Sequence, residues 1–359
     1  MTTVSQRPFT SPSFKHSDIV LLLSTCTDEP VTVEEKEALV ASGGHYSEVF
    51  VKESPPSEAL LKAFNYALYE NKGAERLAQH IQYLVSILVK DYQVNKQDII
   101  LISLVRAGVP LAILLKRYLD RYHPTIPTHH YGISIIRGKG IDSAALEYID
   151  NNHQVENAYF VDGWTGKGSI SQELKEALLS SPLPFQYRLI VDSDPAGTAT
   201  LSATEEDWLI PFGLIGAPVS GLFSRTLWAD TGYHKAAIFN NLLECDLSGE
   251  FFDAVEGAFT PPATIANNVI RDGKTTRPVA DIINQCLSDF DLESPHKIKP
   301  GIAEATRATH RRTPRLIILK ARNQTDTTYI EQTAKEKGIP IQIGLTGGMG
   351  PFKAITILK

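Results

Sequence analysis

The sequence contains few of the features that mark secreted, disulfide-bonded or membrane proteins. It has three cysteines in 359 residues, and their odd number and wide separation argue against a disulfide framework or a zinc knuckle. No run of 18 apolar residues occurs, so we expect no membrane span. The first residues lack the apolar core of a secretion signal. We therefore expect a cytoplasmic protein.

The sequence also has no excess of positive charge. Its net charge of −6 argues against nonspecific nucleic-acid binding by the whole surface, although a local basic region could still bind. A content of 43% apolar and 21% charged residues is typical of a soluble globular protein with a full core. The length exceeds one typical domain, so we expect two.

Metal-ligand spacing is missing as well. His129, His130 and His153 could suggest ligands, but no His-x-x-x-His or Cys-x-x-Cys spacing occurs. Adjacent histidines on a strand point to opposite faces of the sheet. The histidines therefore do not indicate a transition-metal site.

What is present is an alternation of strand and helix patterns. Predicted strands and helices alternate along the chain and favour an α/β fold with a mostly parallel sheet, preceded by a helical N-terminal extension. The strands are predicted at 98–104, 128–136, 159–161 and 188–192, and the helices at 57–70, 74–90, 109–122, 143–149 and 171–180. We predict a main domain with a loop-rich hood at 1–255, a connecting arm at 256–296, and a small α/β domain at 297–359.

The most informative segment is 158–169, A-Y-F-V-D-G-W-T-G-K-G-S. An apolar run ends at Asp162, and a small-residue loop then leads into a predicted helix. In that order the loop amides and the helix N-terminus face an anion, and glycine lets the backbone approach it closely. The segment is not a Walker A loop, because Val161 stands where that pattern requires glycine. It predicts a phosphate site, with an ordinary strand-to-helix turn as the alternative.

Two more loops follow predicted strands. Arg106, Ala107 and Gly108 follow the first strand, where a guanidinium and closely approaching amides can bind a diphosphate. Arg137 and Lys139 lie in a glycine-containing loop after the second strand, for which a solvated turn is the alternative. Ligands of parallel sheets bind at the carboxyl ends of the strands, so this edge is the predicted site.

In this order, the loops resemble those of the type I phosphoribosyltransferases. That family has two acids before its phosphate loop, whereas here Gly163 and the bulky Trp164 follow a single acid. The resemblance implies that Asp162 binds ribose and that the loop at 165–169 binds a 5′-phosphate. It implies a flexible loop at Arg137 and Lys139 that closes over the departing pyrophosphate, which Arg106 also contacts. The implied catalytic residues are Asp162, Arg106, Arg137 and Lys139. The implied substrate-binding residues are Val105, Ala107, Gly108, Gly163, Trp164, Thr165, Gly166, Lys167, Gly168, Ser169, Ser220, Arg225 and Thr226.

A longer set of phrases resembles one family in particular, the phosphoribosyltransferase-like proteins of bacterial tellurite-resistance (ter) stress operons, also labelled cysteine protease StiP. The phrases include H-Y-S-E, S-L-V-R-A-G-V-P, Y-G-I-S-I-I-R-G-K-G-I-D, S-G-L-F-S-R-T and C-D-L-S-G-E-F. Near the C-terminus, I-K-P-G-I-A-E-A-T-R and P-F-K-A-I-T-I-L resemble the Pelota-type RNA-binding module fused to that family. The resemblance implies phosphoribosyl diphosphate or a nucleotide as ligand, a base-like acceptor chosen by the hood, and a role in making a nucleoside-like metabolite. Mg²⁺ would bridge the diphosphate and Asp162 through water, and a homodimer stays open as the assembly.

The small domain carries its own signal for RNA. Nine basic residues crowd into a short stretch of an otherwise acidic chain, which is the electrostatic pattern of a phosphate-backbone site. They are Lys297, Lys299, Arg307, His310, Arg311, Arg312, Arg315, Lys320 and Arg322. The alternative is a solvated basic helix face. Stacking aromatics are scarce there, which argues against single-strand stacking.

Three hypotheses follow for the function. The first is transfer of ribose 5-phosphate to a base-like acceptor, or the reverse reaction. The second is a nucleotide sensor with an RNA-binding domain. The third is a cysteine peptidase, for which Cys26 would be the nucleophile and His45 its base. No papain-like or caspase-like signature surrounds any cysteine, and buried inert thiols are the alternative.

Overall fold

The computed structural model, which describes residues 9–262 and 278–359, is built around one mostly parallel sheet. The strands of the described residues are β1 (Val20–Leu21), β2 (Ser24–Thr25), β3 (Ile99–Val105), β4 (Thr128–Ile136), β5 (Gly140–Ile141), β6 (Tyr159–Val161), β7 (Leu189–Ser193), β8 (Leu201–Thr204), β9 (Lys235–Ala236), β10 (Ile298–Pro300), β11 (Pro314–Leu319), β12 (Ile341–Ile343) and β13 (Ala354–Leu358). The main sheet has the order β1-β4-β3-β6-β7-β8, all parallel, with β5 antiparallel to β4. This confirms the α/β fold class.

Helices connect these strands and cover both faces of the sheet. The helices of the described residues are α1 (Val33–Ala41), α2 (Glu58–Asn65), α3 (Gly73–Asn95), α4 (Gly108–Tyr122), α5 (Ser143–Asn152), α6 (Ser169–Ser180), α7 (Pro211–Leu214), α8 (Ser248–Gly257), α9 (Val279–Asp289), α10 (Ile302–Arg311) and α11 (Thr328–Lys337). A π-helical turn at Tyr66–Glu70 continues α2. Among the described helices, none combines the length and apolar character needed to span a bilayer.

The central strand β3 shows why the sheet is buried on both faces. All seven of its residues are buried. Ile99 and Leu101 face the core under α3 and α4, whereas Ile100 and Ile102 face the core under α5 and α6. A continuous apolar run with side chains on alternating faces is what a parallel strand between two helical layers requires.

The small domain has a four-stranded sheet of order β10-β13-β11-β12. The helix α9 packs Ile282, Ile283 and Cys286 against β10, β11 and β13. Part of the stretch we predicted as a connecting arm, 256–296, therefore belongs to the core of the small domain, and residues 263–277 of that arm lie outside the described residues.

The two domains share one hydrophobic core. Ile302, Ile317 and Ile330 of the small domain belong to the same cluster of buried side chains as the residues under α3 and α4. The buried carboxylate of Asp207 accepts hydrogen bonds from the backbone N–H groups of Ile302 (2.9 Å) and Lys353 (2.8 Å). The first of these caps the N-terminus of α10, so apolar contact and hydrogen bonds together fix the small domain on the main sheet.

Candidate functional site

The loop between β6 and α6 forms an open cradle of backbone amides. Gly168 adopts a left-handed conformation (φ +77°), which glycine accepts without strain, and it turns the chain into α6 at Ser169. No side chain of the described residues caps this helix. Within the described residues, the amide N–H groups of 166–169 have no hydrogen-bond acceptor. Free amides at a helix N-terminus are the arrangement that binds phosphate.

The carboxyl group of Asp162 lines the same cavity. Its one hydrogen bond within the described residues comes from the N–H of Gly163, at 2.8 Å. Burial raises the pKa of Asp162 to about 7, and the Gly163 N–H lowers it only in part. The site therefore holds a carboxyl group that ionises near neutral pH.

Backbone packing explains the two glycines beside this acid. A Cβ atom on Gly108 would lie 2.0 Å from the carbonyl oxygen of Val161. A Cβ atom on Gly163 would lie 2.9 Å from both the Ala107 oxygen and the Phe212 ring. The two loops thus touch through their backbones, which is possible only because both positions lack a side chain.

Arg106 follows β3 directly, and the Val105–Arg106 peptide bond is cis. Its guanidinium donates to the Phe223 carbonyl oxygen (2.7 Å) and to Glu53 (3.1 Å). Burial raises the pKa of Glu53, but the guanidinium groups of Arg106 and Arg311 outweigh it and lower that pKa to about 2. Arg106 lines the cavity while these partners hold it in place.

The loop at Arg137 and Lys139 is a tight turn between β4 and β5. Both oxygens of Glu173 on α6 accept backbone N–H groups of this turn, from Gly138 (2.8 Å) and Gly140 (2.9 Å). Arg137 lines the cavity. Lys139 lies outside the lining, with its ammonium over the Trp228 ring at 5.2 Å. The structure therefore brings Arg137, but not Lys139, to the phosphate loop.

Two phosphate-loop side chains are held by other parts of the fold. Thr165 donates its hydroxyl hydrogen to Asp194 (2.6 Å), which also accepts two backbone N–H groups. Lys167 donates to the carbonyl oxygens of Pro295 (2.8 Å) and Ile298 (3.2 Å) in the small domain. Trp164 packs at this domain boundary, since a Cβ atom on Gly213 would lie 3.4 Å from Trp164 and 3.2 Å from the Ala303 Cβ atom.

The hood contributes Ser220, Arg225 and Thr226 to the cavity wall. The hydroxyl of Thr226 accepts a hydrogen bond from Ser134 (2.7 Å), whose oxygen also lies 2.7 Å from a ring nitrogen of His234. This buried chain of hydrogen bonds positions Thr226. The guanidinium of Arg225 is exposed to the cavity and has no hydrogen-bond partner among the described residues.

The lining groups named above open into one cavity of about 930 Å³ between the two domains. Its walls include the loops after β3, β4 and β6, the hood, and several side chains of the small domain. The residues from the small domain include Lys299, Glu304, Arg307 and Arg312. Sequence reasoning did not place these side chains in the main site; the available signal was the four-residue spacing of Ala303, Arg307 and Arg311 on one face of α10.

The basic stretch of the small domain is divided rather than presented as one face. Lys297, Lys299, Arg307 and Arg312 line the cavity. Arg311 pairs with Glu53, and Arg315 and Lys320 donate to backbone carbonyl oxygens. Burial lowers the pKa of His310 to about 4, and its ring nitrogens have no hydrogen-bond partner in the described structure. Arg322 borders a separate shallow pocket.

Cys26 is buried in the hydrophobic cluster of the hood. Burial raises the pKa of its thiol, which lies 3.5 Å from an oxygen of Asp28. The ring nitrogens of His45 lie 2.7 Å from the Ser47 hydroxyl and 3.1 Å from the Arg137 carbonyl oxygen. Both His45 nitrogens are thus used by groups other than the thiol.

The structure adds a cluster at the opposite edge of the sheet. Potential ligand atoms of Asp98, His129 and His153 lie within 4.8 Å of one another. As predicted from strand alternation, His130 points away from His129, and its ring nitrogens lie 2.7 Å from the Asp18 carbonyl oxygen and 2.9 Å from the Ser103 hydroxyl. The sequence spacing did not suggest this cluster, because the loops between the strands bring its members together.

The fold and the cradle define an α/β protein with a loop of free backbone amides at the carboxyl edge of a parallel sheet and a small α/β domain beside it. The chain belongs to the family described as "Tellurite-like stress resistance cysteine protease StiP", whose model matches residues 12–256. A second model, "PELOTA RNA binding domain", matches residues 278–359. Both matches confirm the family resemblance seen in the sequence.

A curated relative from Acinetobacter baylyi, named "Cysteine protease StiP", is 35% identical over 372 residues, covering 97% of this chain and 94% of the relative. Among solved structures, a hypoxanthine phosphoribosyltransferase of Trypanosoma cruzi is 13% identical, with a TM-score of 0.30, over 38% of this chain and 82% of the other. A second chain of that enzyme covers 49% of this chain and 93% of its own, at 14% identity and a TM-score of 0.29.

Proposed function

We propose that this protein transfers ribose 5-phosphate between a phosphoribosyl diphosphate donor and a base-like acceptor. The observation that supports this most is the amide cradle at 166–169, which lies beside the carboxyl group of Asp162 in the wall of a cation-lined cavity of about 930 Å³. Amides at a helix N-terminus suit a phosphate, and an adjacent carboxylate suits the hydroxyl groups of a ribose.

In this proposal the donor lies across the carboxyl edge of the sheet. The 5′-phosphate binds the amides of 166–169, and Asp162 accepts hydrogen bonds from the ribose hydroxyls. The bond between C1′ and the diphosphate oxygen breaks, and the diphosphate leaves with the electron pair. A bond from C1′ to an acceptor nitrogen forms, and the proton of that nitrogen passes to solvent. Arg106 and Arg137 stabilise the charge that develops on the diphosphate.

The residues present fit an indirect Mg²⁺ site. Asp162 accepts one hydrogen bond within the described residues, which leaves oxygen lone pairs available in the cavity. One carboxylate together with diphosphate oxygens and water is a donor set that Mg²⁺ commonly uses. A bound Mg²⁺ would neutralise charge on the diphosphate, with Asp162 holding it through water.

The direct experiment is calorimetry with phosphoribosyl diphosphate and Mg²⁺, followed by analysis of diphosphate release with a panel of bases. We expect binding, and a loss of turnover of about tenfold or more in Asp162→Asn, because an interaction worth about 1.4 kcal/mol in the transition state corresponds to that factor. The matched control is Asp253→Asn, an exposed aspartate on α8. Absence of phosphoribosyl diphosphate binding would overturn the proposal, and binding without any turnover would favour a nucleotide sensor.

The name of the curated relative raises a second candidate, a cysteine peptidase. Cys26 would be its nucleophile, although the thiol is buried and its pKa is raised. Purified protein should then cleave a peptide library, and Cys26→Ala should abolish the cleavage. Cleavage that persists in Cys26→Ala would remove Cys26 from any such mechanism.

A further inference from the structure

The cationic side chains that face the cavity from the hood and the small domain include Arg225, Lys299, Arg307 and Arg312. We call these four the interdomain cation cluster. Within the described residues, none of the three guanidinium groups donates a hydrogen bond or forms an ion pair. Lys299 lies 3.7 Å from Glu304, a distance too long for a strong hydrogen bond. The cluster therefore contains donors without acceptors.

The fold holds this cluster in place. Ala303, Arg307 and Arg311 follow one another at four-residue intervals on one face of α10. Ala303 packs beside Gly213 of the main domain, and Arg311 pairs with Glu53. Arg307 lies between these two anchored positions, so the docking of α10 sets its place in the cavity wall.

Bringing these charges together is unfavourable in the absence of an anion. Burial, together with the charges of Arg311, Arg106 and Arg225, lowers the pKa of Arg307 to about 9, although the charge of Glu53 opposes this shift. Burial and then the charges of Arg106 and Arg137 likewise lower the pKa of Arg225. Like charges that line one cavity repel one another, and guanidinium donors without an acceptor suit an anionic ligand, so this cluster points to a bound anion.

The donor proposed above does not account for these cations. Its 5′-phosphate uses backbone amides of α6, and its diphosphate uses Arg106 and Arg137, which belong to the loops of the main sheet. The interdomain cation cluster comes from the hood and from the small domain. We propose that it binds a phosphate group on the second substrate, so that the acceptor is a phosphate-bearing molecule. The identification of this ligand as the acceptor rests on the proposed function. The existence of an anion site rests on the cluster itself.

The test uses the full chain and inorganic pyrophosphate as the probe. With phosphoribosyl diphosphate and Mg²⁺ present at saturation, we expect pyrophosphate still to bind to the wild-type protein. Arg225→Gln and Arg307→Gln should each weaken that binding by about tenfold or more, the loss typical of one charge-assisted hydrogen bond. Arg307→Lys keeps the charge and should retain most of the affinity. Arg322→Gln removes a charge from an exposed position of the same domain outside this cavity and should change nothing.

The outcomes separate the two proposals. If Arg225→Gln and Arg307→Gln bind pyrophosphate as well as wild type does, the anion site is wrong, whatever the donor result. If pyrophosphate binding depends on these arginines but phosphoribosyl diphosphate does not bind, the anion site stands and the transferase proposal fails. Because Arg225 lies in the main domain and Arg307 in the small one, equal losses in two variants that melt like wild type exclude misfolding as the cause.

A competition experiment then identifies the source of the phosphate. Uridine 5′-monophosphate and a short 5′-phosphorylated oligoribonucleotide are each titrated against pyrophosphate bound at the cluster. Displacement by the mononucleotide assigns a small phosphorylated acceptor. Displacement only by the oligoribonucleotide assigns an RNA end, whereas a 5′-hydroxyl oligoribonucleotide that competes equally well would overturn recognition of a terminal phosphate.

Discussion

At the scale of single residues, the space around Gly163 decides what the acid beside it can do. Its position would carry a second acid in the phosphoribosyltransferase signature, but any side chain there would meet the Ala107 carbonyl oxygen and the Phe212 ring. A clash with backbone cannot be relieved by rotating a side chain. Asp162 is therefore the single carboxyl group at this point of the wall, and the ribose contacts proposed for the site depend on it.

The raised pKa of Asp162 predicts a pH-dependent stability difference. Its folded value of about 7 exceeds the ordinary 3.8, so the neutral form favours the folded state and that stability is lost as the pH rises through 7. Asp162→Asn stays neutral, and we expect it to exceed wild type by roughly 2 kcal/mol at pH 8, allowing for partial solvent screening. The difference should shrink toward pH 4.

Urea unfolding at pH 8 and pH 4 measures this stability difference. Asp253→Asn is the control, and its stability relative to wild type should show no such trend. A difference between Asp162→Asn and wild type that is the same at both values would mean that Asp162 is ionised normally in the folded protein.

Individual site residues differ in how well the sequence predicts them. Asp162 and its loop follow from local order alone, since a strand, an acid, a small-residue loop and a helix occupy adjacent positions. The partners of Glu53 do not follow from local order, because Arg106 and Arg311 lie 53 and 258 positions away along the chain. Lys139 lies beside Arg137 in sequence, yet the turn directs it to Trp228. Which member of a basic pair enters a cavity depends on backbone geometry that spacing does not encode.

At the scale of elements, the site depends on the close approach of α4 to β6. Gly108 begins α4, and its missing side chain allows the carbonyl oxygen of Val161 to lie where a Cβ atom would be. We expect Gly108→Ala to lower the free energy of unfolding by about 3 kcal/mol, the upper end for overpacking, because the neighbour is backbone. It should also weaken the binding of phosphoribosyl diphosphate, since Asp162 follows Val161 directly.

Chemical denaturation of Gly108→Ala beside Gly249→Ala tests this contact. Gly249 lies in α8, and a Cβ atom there would meet nothing within 4 Å. The control Gly249→Ala should leave the free energy of unfolding unchanged or raise it by a few tenths of a kcal/mol, because alanine favours the helix more than glycine does. Equal stability of the two variants would show that the backbone contact at Gly108 is looser than described.

Elements with strong local signals were predictable, and elements defined by distant partners were not. Thr32 and Glu35 form the capping box that their spacing predicts at the start of α1. The strands β2 and β9 are two residues each and exist only because they pair with one another across 211 positions. The helix α9 lies in the stretch predicted as a connecting arm, because its amphipathic face reveals its domain only once β10 and β13 are in place.

At the scale of the whole molecule, the small domain acts as one wall of the site. The shared core and the hydrogen bonds of Asp207 fix it against the main sheet. Lys167 reinforces this directly, since a residue of the phosphate loop donates to carbonyl oxygens of the small domain. A loss of domain docking would therefore change the phosphate loop and the cation cluster together.

A substitution of Glu53 can test how much charge contributes to the docking of the small domain. Glu53 pairs with Arg106 of the main domain and Arg311 of the small one, and its pKa falls from the ordinary 4.5 to about 2. A lowered pKa means stability that is present above pH 4.5 and lost as the pH falls through 2. The difference corresponds to about 3 kcal/mol at neutral pH. We expect Glu53→Gln to lose about that much at pH 7 and much less near pH 3.

Urea unfolding at both pH values measures the loss, and Glu293→Gln, an exposed carboxylate in the small domain, serves as the control. Because the variant leaves two guanidinium groups facing each other across the boundary, it should also open the cavity and weaken pyrophosphate binding, which the control should leave intact. If Glu53→Gln lost the same stability at pH 3 as at pH 7, the effect would come from packing rather than charge. The charge of Glu53 would then contribute nothing to the contact between the domains, and the cation cluster would have to be held by the hydrophobic face of α10 together with the hydrogen bonds of Asp207.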